Sequence, residues 1–201
     1  MLNFLKDRIL LFVLVIAGDW ISLSAFIKAD EIRHDAITIA AAVSLLPSLI
    51  ISLIIQYFFK PKVGPKKFVT YAVIIATSLW AGFIFSYINF SKVNNQYGRV
   101  SFPKNPGSQN TSDSFLVGGC NYTTEAQAEI NAYKAGRRTL TPAQLFEDFN
   151  YDIAQVWTEK ERDCARDKIL NSFAIMLAFL IAGISITCEL LIAGKPEPKK
   201  E

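Results

Sequence analysis

The chain has 201 residues, of which 51% are hydrophobic, with a mean hydropathy of +0.27 and a formal charge of +3. Four stretches, 9–27, 37–59, 68–90 and 170–193, hold only Asp19 and Glu189 of its 21 basic and 18 acidic residues. Such segregation excludes a soluble globular domain, a disordered or collagenous chain and a disulfide-dense mini-protein.

What it predicts is an all-α membrane protein. The expected fold is a four-helix transmembrane bundle with a mainly helical, disulfide-stapled extracytoplasmic domain between helices 3 and 4. Residues 1–90 then carry the first three helices, 91–169 the extracytoplasmic domain, 170–193 the fourth helix and 194–201 a cytoplasmic tail. A helix rises about 1.5 Å per residue and the hydrocarbon core is about 30 Å thick, so about 20 apolar residues suffice to cross.

The first stretch is the least secure. It is short and carries Asp19, and its basic start at Lys6 and Arg8 leaves a cleaved signal peptide as the alternative. An acid at a helix centre costs roughly 2.5–3.5 kcal/mol on insertion scales. No Lys, Arg or His lies in any of the four stretches. Three readings stay open for Asp19. It is protonated and hydrogen-bonded to Ser44, Ser48, Thr77 or Ser185, or it binds a proton or cation in transport, or it pairs with a base in another subunit. The connection that follows carries His34 among Asp30, Glu31 and Asp35, read as a solvated acidic loop with no metal.

The second stretch repeats small residues every four positions, Ala36, Ala40, Ser44, Ser48 and Ser52, and the fourth repeats Ala174, Ala178 and Ala182. Such stripes let helices approach closely in lipid. Pro47 is expected to kink the second helix. Orientation follows from the lysines and arginines. Lys6, Arg8, Lys60, Lys62, Lys66, Lys67, Lys195, Lys199 and Lys200 would share one face. The positive-inside rule puts that face, and both termini, in the cytoplasm of a bacterial inner membrane or its equivalent. Residues 91–169 fall outside.

That outer segment opens with Asn, Ser, Gly and Pro to position 119, which reads as loop with a short strand or two. A helix is expected from Thr124, boxed by Gln127 and stopped by Gly136. A second starts with Thr141 as N-cap, Pro142 at the first position and Gln144 at the third. Its Leu145, Phe149, Ile153, Val156 and Trp157 form one apolar stripe, expected to pack within the domain or to bind a partner. With no Gly or Pro over 143–182, this helix is expected to continue into the fourth span as one rod of about 50 residues. Cys120 and Cys164 both lie outside, and a bridge closing about 45 residues is worth about 4 kcal/mol in the chain-entropy estimate. Asn110-Thr-Ser and Asn121-Tyr-Thr are glycosylation sequons only if the compartment supplies the machinery.

Two cytoplasmic termini, a small first loop and a large cysteine-bearing second loop resemble the tetraspanins in topology, but their C-C-G motif is absent. An acid in the first span resembles the small multidrug transporters, which are half this length. The chain is assigned to neither family. There is no Walker loop, G-x-G-x-x-G, H-E-x-x-H or G-x-S-x-G, and the outer segment has no His. The expectation is a non-catalytic protein, without cofactor or nucleic-acid partner, that binds another membrane or secreted protein as accessory subunit, exclusion factor or immunity factor. Leu145, Phe149, Ile153 and Trp157 are its partner-binding candidates, Asp19, Ser44 and Ser48 its intramembrane polar site. The alternative is a small oligomeric channel or proton-coupled transporter using Asp19, and a homo-oligomer fits either.

Overall fold

A computed structural model describes residues 27, 29, 32–40, 42–43, 65–98, 100–103, 113–136 and 140–193. Asp19, Ser44 and Ser48 lie outside the described residues. Most of what is described is helical: a segment at 32–40, then α1 (Pro65–Tyr97), α2 (Thr124–Ala135), α3 (Pro142–Asp148), α4 (Ile153–Val156) and α5 (Glu159–Ala193). One antiparallel pair interrupts them, β1 (Val100–Pro103) with β2 (Asp113–Leu116), in a register that sets Val100 opposite Leu116 and Phe102 opposite Ser114. The chain divides into two compact units, Met1–Ile21 with Thr38–Asn89 and Phe173–Glu201, and Ser22–Ile37 with Phe90–Ser172.

In the first unit α1 and α5 pack antiparallel. Phe68, Ala72 and Ala76 recur four apart on α1 and meet Ile186, with Leu79 and Leu190 alongside. Gly82 sets the closest approach, and Gly183 stands at ordinary contact distance. A Cβ at Gly82 would lie 2.6 Å from the Phe179 ring, and one at Gly183 would lie 3.5 Å from the Trp80 ring. The indole of Trp80 donates to the Thr187 hydroxyl at 3.2 Å, and that hydroxyl donates in turn to the Gly183 carbonyl at 2.7 Å. Of the small-residue stripe expected on the fourth stretch, Ala178 is exposed and Ala174 and Ala182 are half-buried. Both helices are long and apolar enough to cross a membrane, over Lys67–Tyr97 and Glu159–Cys188.

The second unit has its own core of Val100, Leu116, Ala126, Leu145, Phe146, Val156 and Trp157, edged by Tyr122, Ile130, Leu140, Phe149, Tyr151 and Ile153. Trp157 is its centre, with ring centroids 5.9 Å from Tyr122 and 6.3 Å from Phe146. Gly119 lies flat against it, since a Cβ there would sit 2.4 Å from the indole Cδ1.

Several expected boundaries move, each for a local reason. The rod predicted across 143–182 is three helices. Asn150 and Tyr151 adopt φ of 53° and 62°, and their N–H groups turn back to the carbonyls of Glu147 and Phe146, both at 2.9 Å. Asp152 then caps α4 by accepting from the Ala154 N–H at 3.0 Å. Thr158 caps α5 by accepting from the Glu161 N–H at 3.4 Å. Side chains that satisfy orphan helical N–H groups start new helices without any Gly or Pro.

The helix expected from Thr124 is capped one residue earlier. The Thr123 hydroxyl accepts from Ala126 N–H at 3.2 Å and donates to the Gln155 carbonyl, while Gln127 bonds Asn131 rather than closing a box. Gly136 ends α2 at φ −79°, without a left-handed cap. At Thr141 the capping box forms as expected, with Gln144 returning to the Thr141 N–H at 3.0 Å. The acidic connection around His34 is helical from residue 32, not an open loop.

Candidate functional site

The densest polar arrangement is the junction between residues 117–121 and the first turns of α5, within the second unit. Cys120 and Cys164 are disulfide-bonded with Cα atoms 6.0 Å apart, as the sequence predicts. Hydrogen bonds frame the bridge. The Cys120 N–H donates to the Glu161 carbonyl at 3.0 Å, and the Asn121 N–H and side-chain amide both donate to Glu161 Oε2, at 3.0 and 2.9 Å. Arg162 Nε reaches the Val117 carbonyl at 3.5 Å. Cys120, Glu161 and Cys164 are all half-buried, and their sulfur and carboxylate oxygen atoms lie within 4.8 Å of one another. Position dictates this. Glu161 and Cys164 are three apart on one helix face, and Thr158 fixes where that helix begins.

A second tie within the same unit joins Arg166 to Asp35 in a salt bridge, with the side chains 43% and 33% exposed. Its hydrogen bond to the Asp35 carboxylate pushes the Arg166 guanidinium further above its ordinary pKa. At that exposure the pair fixes geometry more than it adds stability. Lys168 Nζ stands 5.2 Å from the Tyr97 ring centre, a cation–π contact.

The residues expected to bind a partner are placed otherwise. Leu145 and Trp157 are 1% and 2% exposed in the core of the second unit, and Phe149 and Ile153 are half-buried against it. Their apolar stripe packs inward, the first of the two roles expected for it, and does not form a continuous helical face. Of the hydroxyls expected to serve Asp19, the exposed Thr77 donates to the Val73 carbonyl at 2.9 Å. Ser185 is buried and its Oγ has no hydrogen-bond partner among the described residues. Cys188 is half-buried in α5, outside the disulfide.

Sequence reasoning missed the pairing of Asn121 with Glu161 and of Asp35 with Arg166. Thr158-x-x-Glu161 matches the S/T-x-x-E capping signature and could have located Glu161 at the start of α5. Nothing local reveals either pairing, because Asn121 meets Glu161 across 40 residues and Arg166 meets Asp35 across 131. No family model, curated protein or solved structure matches the chain.

Proposed function

We propose that the chain is an integral membrane protein with four crossing helices, both termini in the cytoplasm and residues 91–169 outside, and that it binds another protein without catalysing a reaction. The observation that carries the membrane reading is the outward face of α1. Ile74, Ile84 and Phe85 are 57%, 58% and 76% exposed, and large apolar side chains project all along the helix between Val69 and Ile88. Only 17% of its most apolar window is buried, unlike the core helix of a soluble protein. Leaving such a surface in water would forgo on the order of 10 kcal/mol of transfer free energy, comparable to the whole stability of a domain. Lipid removes that penalty.

The exposed hydroxyls agree with this environment. Thr77 and Ser78 donate to the carbonyls of Val73 and Ile74 at 2.9 and 3.0 Å, so neither needs water. The non-catalytic part of the reading draws on how the polar groups of the second unit are used. Glu161 accepts from Asn121, Asp152 caps α4, and Asp35 pairs with Arg166. Each holds the fold.

The test is purification in mild detergent from the native membrane, with the mass of the intact assembly measured. A stoichiometric foreign subunit is the expected result. A homo-oligomer whose ion flux across liposomes disappears in Asp19→Asn would replace this reading with the channel or transporter.

A further inference from the structure

The geometry points to a second, reduced state of the α5 junction in which the thiolates of Cys120 and Cys164 and the carboxylate of Glu161 bind a thiophilic divalent cation such as zinc. The donors are brought together by contacts that do not involve sulfur. Cys120 is held by its own N–H on the Glu161 carbonyl, at 3.0 Å. Cys164 stands one helical turn beyond Glu161 on the same face. Asn121 grips Glu161 Oε2 through two N–H groups, which orients the carboxylate as an outer-shell donor orients a metal ligand.

The distances suit the ion. Tetrahedral zinc with Zn–S bonds of about 2.3 Å needs its sulfurs about 3.8 Å apart. Cα atoms 6.0 Å apart allow that by rotation about the Cα–Cβ bonds, with the backbone where it stands. The carboxylate oxygen already lies within 4.8 Å of both sulfurs. Three protein ligands, all half-buried, leave a fourth position facing solvent, as in open zinc sites. Two thiolates select zinc or a softer ion and disfavour magnesium and calcium.

Entry to this state needs a dithiol reductant. Its two thiols pass two electrons and two protons to the Cys120–Cys164 bond, the S–S bond breaks, two protein thiols form and the dithiol closes to its own disulfide. Binding the cation then releases both thiol protons to solvent. The junction is thereby stapled covalently when oxidised and by metal when reduced.

The test uses the full chain in mild detergent, reduced with a dithiol that is then removed without air, and titrated with cobalt(II). One equivalent per chain is expected, with a thiolate-to-cobalt charge-transfer band in the near ultraviolet that zinc abolishes by displacement. The oxidised chain should show no band, Cys120→Ser should abolish it, and Glu161→Gln should weaken binding about ten-fold or more. Circular dichroism of each reduced sample, taken before metal is added, reports whether the fold persists. A folded reduced chain without the band overturns the proposal, and so does equal affinity in Glu161→Gln. Reduction that unfolds the second unit overturns it as well, because the donors would then not be pre-placed.

Discussion

Replacing Trp157 with Ala separates an interior stripe from a docking stripe. The indole is 2% exposed, lies against Gly119, and stacks near Tyr122 and Phe146. A buried Trp removes about 200 Å² from water, worth about 5 kcal/mol at 25 cal/mol per Å². The denatured chain already hides part of that area, so this is an upper figure. Large-to-small changes at buried aromatics cost about 3–5 kcal/mol. A loss of about 4 kcal/mol is expected here. For a unit of this size it lowers the melting temperature by about 15–30 °C.

The assay is thermal unfolding of the full chain in mild detergent, followed by protease cleavage within residues 91–172. Phe85→Ala, on the exposed face of α1, is the control and should leave that transition in place. A Trp157→Ala transition within about 2 °C of the parent would refute the interior assignment. It would return Leu145, Phe149, Ile153 and Trp157 to a surface that a partner covers.

Four further outcomes follow from the same geometry. Cys120→Ser with Cys164→Ser should lower the stability of the second unit by at most about 4 kcal/mol without abolishing its fold, since the Cys120 and Asn121 bonds to Glu161 survive; the same proteolysis assay reads it. Gly82→Ala should cost about 1–3 kcal/mol, because its Cβ would meet the Phe179 ring at 2.6 Å, and Trp80→Phe should cost about 0.6 kcal/mol for one interhelical hydrogen bond; unfolding in mixed detergent measures both. Burial raises the Tyr122 phenol above its ordinary pKa of 10.0. Its contribution is therefore complete below about pH 10 and is lost as pH rises through the folded value, so the second unit should weaken in alkali, with a shallower slope in Tyr122→Phe.

What could be read from sequence was whatever depends on near neighbours or on gross segregation. The scarcity of charge over 68–90 and 170–193, where Glu189 is the one charged residue, located two helices long and apolar enough to cross a membrane. Their ends were not legible in the same way. Charge marks where an apolar environment can stop, while caps and turns decide where a helix stops. Hence α1 runs from Pro65 to Tyr97 and α5 begins at Glu159, both beyond the limits of the apolar stretches. The Thr141 box was legible because all of its parts lie within four residues.

The break between α3 and α5 shows why periodicity misled. Leu145, Phe149, Ile153, Val156 and Trp157 fall on one stripe of an ideal helix, yet the same residues can face one core from separate pieces of chain. The left-handed pair Asn150 and Tyr151 reverses the backbone, and Asp152 and Thr158 restart it. Left-handed conformations at two consecutive non-Gly residues, the second a bulky Tyr, are costly, roughly 1–3 kcal/mol each. Burial of Phe146, Val156 and Trp157 together offsets that cost, since each large apolar side chain contributes about 1.5–3 kcal/mol when fully buried. Tertiary packing thus overrides the helical propensity of the intervening residues. A hydrophobic stripe identifies which residues enter a core, but the polar residues between them decide how many helices carry them there.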